Sequence, residues 1–186
     1  MIYGYARVST GDLGDRLDAA VKERNIRHST DVLARTSLIK EAGMSESNLE
    51  DRAAIHDLFT RYCCALDNGE IQAVVDCFTA DAILKSPVID ISGHDEIRAF
   101  AGRFAAQREA GTQFRHMVSN IAVTIAGNRA AANAYLLVLI SKDGNHRSLP
   151  PGRYACDLIK DDSGQWRFSR RTVFHDHDYT LDGIGR

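Results

Sequence analysis

Residues 113–142 read QFRHMVSNIAVTIAGNRAAANAYLLVLISK, which is two long strand-like runs joined by the turn dipeptide Gly127-Asn128. Two further runs of the same kind follow, and short segments rich in Asp, Gly, Asn, Ser and Pro separate them. The four runs are 113–126, 129–142, 152–161 and 165–176. Four strands joined by short turns predict an antiparallel sheet in the C-terminal half of the chain.

The preceding seventy residues carry helical patterns. Apolar residues at three- and four-residue spacing predict an amphipathic helix over about 50–66, which Asn68-Gly69 ends. A short helix, two short strands and a third helix, begun by Ser92 or Asp95, are predicted next, at 70–77, 82–84, 87–91 and 92–104. Helices packed on one curved antiparallel sheet form an α+β architecture, a cone in which about three helices help to enclose a pocket.

Composition excludes several classes of function. A net charge of −2 does not indicate a nucleic-acid surface, and no apolar run approaches the ~20 residues of a membrane helix. The N-terminus shows no secretory signal, and the four cysteines form no Cys-x-x-Cys motif, which predicts reduced thiols in a cytoplasmic protein. His175 and His177 have metal-ligand spacing on a strand, but the sequence offers no third ligand, so no metal is predicted.

The first 43 residues are predicted to be an N-terminal extension that does not belong to the domain. Residues 1–10, MIYGYARVST, resemble the opening strand of serine recombinases, with Ser9 at the nucleophile position and Arg7 as its phosphate-binding partner. The likeness stops after about ten residues. Lys40-Glu41 can be encoded by a ribosome-binding sequence ahead of Met44, which fits a domain beginning there. The alternative is a genuine N-terminal helix that packs on the domain.

Residues 45–176 resemble the SnoaL-like branch of the nuclear-transport-factor-2-like fold. The likeness rests on Arg-Ala-Ala-Ile-x-Asp-Leu at 52–58, an acid after that helix, His-x-x-x-Asn at 116–120 and Trp-x-Phe-Ser-x-Arg at 166–171. In dehydratase and dehydrochlorinase members an acid and a histidine form the catalytic pair. The resemblance places them on Asp67 and His116, with Tyr62 and Arg171 as further catalytic residues. The predicted domain is 44–176, followed by a tail, 177–186.

The residues support this reading without the family. Asp67 ends a helix, where the helix dipole disfavours a carboxylate by about 0.3–1 kcal/mol, so it needs a cationic or hydrogen-bonding partner. A histidine held by a carboxylate is fixed in one tautomer and acts as a general base. Tyr62 is suited to donate a hydrogen bond and Arg171 to stabilise an anion, although a bulge would exchange Arg171 with Arg170.

The pocket is predicted to bind a small hydrophobic ring compound. Its predicted lining adds five residues to the catalytic group: Asn120, Val118, Phe59, Phe100 and His175. Asn120 and Val118 are chosen because alternate residues of a strand face the same side as His116.

Three functions compete at this point. The first is a cofactor-independent lyase, with a dehydratase-type elimination, or an isomerase. The others are a non-catalytic small subunit of an aromatic-ring dioxygenase and a ligand-binding module of the same fold. The exposed apolar face expected of such a sheet, which carries Tyr135 or its neighbours of opposite parity, predicts a homo-oligomer, a trimer or a dimer.

Overall fold

The computed structural model describes residues 46–179, which contain three helices and seven strands. The helices are α1 (Glu46–Asn68), α2 (Ile71–Val75) and α3 (Gly93–Glu109). The strands are β1 (Phe78–Ser86), β2 (Ile89–Ser92), β3 (Gln113–Ala126), β4 (Arg129–Lys142), β5 (Asn145–Ser148), β6 (Gly152–Lys160) and β7 (Trp166–His175). The predicted extension 1–43 and residues 180–186 of the predicted tail lie outside this range. None of the described helices has the length and apolarity to cross a membrane.

Helix α1 buries one stripe and ends abruptly after Asp67. Its buried residues Ile55, Leu58 and Phe59 repeat at helical spacing and pack into the core. At its end Gly69 adopts a left-handed φ of 75°, and the N–H groups of Gly69 and Glu70 donate to the carbonyls of Leu66 and Ala65. This is the Schellman arrangement. It holds Asp67 in the final helical turn, facing the sheet rather than a longer helix.

The seven strands form one sheet in the order β2-β1-β7-β6-β4-β3, with β5 paired to β4. The predicted α+β class and the curved, largely antiparallel sheet are confirmed. Two features were not predicted. β1 pairs with β7 in parallel, through Leu84 and Arg171 among others, and β5 forms where the sequence indicated a turn. The polar residues of β5 are all exposed, so this edge strand lacks the apolar alternation that marks the others.

The sheet has an inner face, which packs against the helices, and an outer face turned away from them. On β4 the residues Leu136 and Val138 are buried on the inner face, whereas Tyr135 and Leu139 are exposed on the outer face. The inner face and the helices share one core, which includes an aromatic cluster of Phe59, Phe78 and Phe168. The alternation of side chains along each strand therefore decides which residues reach the interior.

Candidate active site

Asp67 and His116 form a direct, buried pair. The Asp67 Oδ1 atom lies 2.6 Å from the His116 Nδ1 atom, and Oδ2 accepts a 2.9 Å hydrogen bond from the His116 backbone N–H. The two side chains are only 10 % and 7 % exposed, respectively. The helix end and strand β3 thus meet through both carboxylate oxygens, so the contact predicted from the sequence is present.

The pair also fixes the state of the imidazole. An ionised carboxylate accepts hydrogen bonds only, so the His116 Nδ1 atom carries a proton and donates it to Asp67. In the neutral ring the Nε2 atom then holds the free lone pair. This tautomer is the one a general base requires, and the two bonds to Asp67 also restrict rotation of the ring.

A small closed cavity of about 50 Å³ lies beside His116, between the inner face of the sheet and the helices. Most of its lining is apolar, including Phe100 and Phe104. Six side chains supply polar atoms to the wall: Tyr62, Ser86, His116, Tyr154, His175 and Tyr179. Ligand sites in proteins usually measure about 300–1,000 Å³. A ring compound would therefore fit only after some of these side chains moved.

Arg171, not Arg170, faces the interior, and a bulge in β7 is the reason. The register between β6 and β7 shifts after the pair Asp157 and Arg170, because Leu158 pairs with Phe168 and leaves Ser169 as an extra residue. Phe168 and Arg171 are consequently both buried although they are three residues apart. Arg170 lies outside, 3.7 Å from the Asp157 carboxylate.

Arg171 does not line the cavity. It is fully buried behind Tyr62 and Tyr154, whose rings do line it. The prediction that Arg171 contacts a ligand is therefore corrected, because two aromatic rings separate its guanidinium from the cavity. Tyr62 is placed as predicted, in the wall of the cavity on α1.

The predicted ligand-contacting residues are split. Phe100 and His175 line the cavity. Phe59 is buried in the core below Arg171, with its ring 5.1 Å from the guanidinium carbon. Val118 packs partly against the core and borders a separate groove on the outer face.

Asn120 is not at the cavity and is solvent-exposed. The pairing of β3 with β4 shifts between Ser119 and Ala122, and Asn120 sits in that bulge with a left-handed φ of 52°. The bulge breaks the strict alternation that placed Asn120 on the same face as His116. Asparagine tolerates this backbone conformation better than most residues, which gives it a local structural role.

Two tyrosines of the cavity wall were not predicted. Tyr154 lies on β6 and shares its inward face with Cys156 and Leu158, an alternation visible in the sequence. Tyr179 follows β7, and its ring packs on His175 with the centroids 4.3 Å apart. Burial raises the pKa of the Tyr179 hydroxyl, and a side-chain hydrogen bond with Ser86 acts in the opposite direction. No regular pattern in the sequence marks Tyr179, because it lies beyond the last strand.

The His175 neighbourhood is built from hydrogen bonds to the backbone. The His175 Nδ1 atom lies 2.7 Å from the Pro150 carbonyl oxygen, and His177 is exposed. Across residues 46–179, no three His, Cys, Asp or Glu side chains gather as a metal ion would require. His175 therefore takes part in the cavity wall next to Tyr179.

A groove of about 530 Å³ lies on the outer face of the sheet. It is mostly apolar and is bordered by Met117, Tyr135, Leu137 and Arg153, among others. It exceeds the inner cavity in volume, but the Asp67–His116 pair does not border it. The acid–base chemistry therefore belongs to the small cavity, and the groove is a feature of the exposed sheet.

Comparison with known proteins agrees with this architecture. A protein from Novosphingobium aromaticivorans, provisionally named an aromatic ring hydroxylase, is 32 % identical, with a TM-score of 0.63 over 73 % of this chain and 97 % of its own. A second protein from that organism, provisionally named a scytalone dehydratase, is 22 % identical, with a TM-score of 0.64 over 74 % and 93 % of the two chains. ActVI-ORFA from Streptomyces coelicolor is 20 % identical, with a TM-score of 0.63 over 71 % and 99 %. The last two show the fold alone.

The sequence comparison is more specific than the fold. No curated protein matches the chain at a significant level. The model of the SnoaL-like domain, by contrast, matches residues 47–172, which cover all of the elements up to β7. The extent of this match and the 32 % identity over most of the domain lead to one conclusion: the chain belongs to the SnoaL-like domain family, whose members include polyketide cyclases and dehydratases.

Proposed function

We propose that this protein is a cofactor-independent lyase that eliminates water from a small hydrophobic ring compound, with His116 as the general base. The observation that carries the proposal is the 2.6 Å contact between Asp67 and His116, which leaves the Nε2 atom of a histidine in the cavity wall free to accept a proton. A positioned general base contributes about 10²–10⁴ in rate. The apolar lining of the cavity favours a hydrophobic ligand.

The proposed reaction is balanced without a further reactant. His116 Nε2 removes a proton from a carbon next to a carbonyl, and the electron pair of the broken C–H bond moves onto the carbonyl oxygen. That pair then returns to form a carbon–carbon double bond, and the β-hydroxyl group leaves as water with the proton from His116. If the proton returns instead to another carbon, the reaction is an isomerisation. Tyr62 stands in the wall as a donor to the oxygen that gains charge.

The test uses proton exchange, because exchange needs no leaving group. A panel of cyclic ketones, with and without a β-hydroxyl group, is incubated with the protein in D2O and followed by mass spectrometry. We expect deuterium uptake next to the carbonyl for accepted ligands, and loss of water where a β-hydroxyl is present. Uptake that the His116→Ala protein retains in full would disprove the role of His116.

A second candidate is a non-catalytic small subunit of an aromatic-ring dioxygenase. It is favoured by the 32 % identity to the protein provisionally named an aromatic ring hydroxylase. Such a subunit would need a large partner chain and would not need the Asp67–His116 pair. Stable co-purification with a large iron-containing chain, together with unchanged activity of that complex after His116→Ala, would favour this candidate.

A further inference from the structure

Arg171 is a buried cation without a counter-charge. Its side chain is fully buried, and its three guanidinium nitrogens make no well-directed hydrogen bond to any residue that the structure describes. It forms no ion pair within the described residues either. A buried charge normally costs several kcal/mol unless it is paired and hydrogen-bonded, so such an isolated arginine calls for a reason other than stability.

The neighbours of Arg171 are aromatic rings. The guanidinium carbon lies 3.7 Å from the ring centroid of Tyr154, 4.0 Å from that of Tyr62 and 4.5 Å from that of Phe168. Contacts between a desolvated cation and ring faces contribute about 2 kcal/mol or more. The two closest rings belong to tyrosines, which carry hydroxyl donors that phenylalanine lacks.

The geometry sets these groups in two layers. Tyr62 and Tyr154 line the cavity that His116 borders, and Arg171 lies behind them without reaching the cavity. A molecule in the cavity would therefore meet the tyrosines and not the guanidinium. A fixed positive charge within about 4–6 Å stabilises negative charge on a neighbouring group and so strengthens its hydroxyl as a donor.

We propose that Tyr154 is a second hydrogen-bond donor of the site beside Tyr62, and that Arg171 is a positioning residue whose charge strengthens both donors. The ligand this arrangement suits carries an oxygen that becomes anionic during the reaction, as a carbonyl oxygen does when it turns into an enolate. The choice of that oxygen rests on the function proposed above. The electrostatic link between Arg171 and Tyr154 does not.

The other titratable groups around the cluster leave the two hydroxyls protonated. Burial raises the pKa of Tyr62 and of Tyr154, and the charge of Arg171 acts against that increase in both cases. Burial also raises the pKa of the flanking thiols, Cys63 to about 12 and Cys156 to about 11. Asp67, which acts on Cys63 from the next helical turn, is the nearby acid, and it is bonded to His116. Both tyrosines are therefore neutral donors at ordinary pH.

The test places a fluorotyrosine, whose phenol is more acidic than that of tyrosine, at position 154 of the full-length protein. Its ionisation is followed by fluorine NMR as the pH rises. Replacing Arg171 by methionine or glutamine should raise the pKa of this probe by roughly one unit or more, because the neighbouring cation is lost. The matched control is Arg170→Met on the exposed face of the same strand, which should leave the probe unchanged.

A second reading needs no substitution of Arg171, in case neither neutral variant folds. The guanidinium carbon resonance of Arg171 should shift as the probe ionises, with the same midpoint. A pKa unchanged by the loss of Arg171 in a folded variant, or a guanidinium resonance that ignores the ionisation, would overturn the inference. Neither measurement requires turnover. The link can therefore fail while His116-dependent deuterium exchange persists, and the exchange can fail while the link holds.

Discussion

The two faces of the sheet put the same kinds of residue to opposite uses. Arg170 and Arg171 are neighbours on β7, yet the first lies outside near Asp157 and the second is buried among aromatic rings. His116 and Met117 are neighbours on β3, with the histidine bonded to Asp67 inside and the methionine 55 % exposed outside. The difference teaches that residue type says little here until the face of the strand is known.

The largest effect is expected from the inner face, at the Asp67–His116 pair. His116→Ala and Asp67→Asn should each lower the rate of the proposed reaction by about 10²–10⁴, because the base is lost or loses its orienting partner. The double variant should be little slower than either single one, since residues that act as a unit are not additive. Steady-state kinetics or deuterium exchange measures both.

The matched controls for the pair carry the same chemical changes at exposed positions. His56→Ala on α1 and Asp162→Asn in the β6–β7 turn should keep full activity. If the exposed changes slow the reaction as much as the inner ones, the two faces are not functionally distinct.

The next effect is on stability, and its sign is unusual. Arg171→Met removes a buried charge that has no counter-charge among the described residues, so it should raise the free energy of unfolding by roughly 1–4 kcal/mol. Arg170→Met removes a surface contact and should change it by less than about 0.5 kcal/mol. Urea unfolding measures both. A large loss of stability in Arg171→Met would mean that the cation is needed for folding.

A smaller effect is expected on the outer face, which we propose a second copy of the chain covers. Met117, Tyr135 and Leu139 are large apolar residues that are exposed there, 55 %, 61 % and 38 % respectively. Tyr135→Asp should weaken self-association by roughly thirtyfold, or about 2 kcal/mol, as expected of a central interface residue. Sedimentation velocity measures this, with Asn128→Asp in the β3–β4 turn as control. A wild-type protein that sediments only as a 20.6 kDa species would refute the proposal.

The smallest effect is expected at the bulge that moves Asn120 off the inner face. Asn120→Ala should cost about 1 kcal/mol of stability because alanine disfavours the left-handed conformation, whereas Asn120→Gly should be near neutral. Both variants should retain activity, since the side chain does not reach the cavity. Thermal melts and kinetics of the two variants provide the check, and lost activity in both would return Asn120 to the site.

The sequence predicts most of the fold because the patterns are local. The bounds of β3 and β4 match the predicted runs, and α1 follows from its apolar stripe. The β1–β7 pairing was not predictable in this way, since no local period reports a contact between residues about ninety positions apart. β5 was missed because an exposed edge strand can be polar throughout.

The candidate site divides along the same line. Asp67, His116 and Tyr62 reach their places through a helix end, an unbroken stretch of strand and a regular stripe, so their positions were readable. Asn120 and the choice between Arg170 and Arg171 depend on single-residue bulges, which shift side chains from one face to the other. Tyr154 was readable from its alternation with Cys156 but resembles an ordinary core residue. Its distinction lies in the arginine behind it, which only the packed structure brings there.

The place of β7 in the sheet bears on how the protein is made. β7 is the last strand along the chain, yet it lies between β1 and β6. A ribosome delivers the chain from its N-terminus, so β1 and β6 each present an unpaired edge until residues 166–175 have left the exit tunnel. Arg171 and His175 arrive with that strand, and the cavity wall is completed only then. A nascent chain that stalls before Trp166 would hold two open strand edges, the form most prone to aggregate, and would depend on chaperones until synthesis resumes.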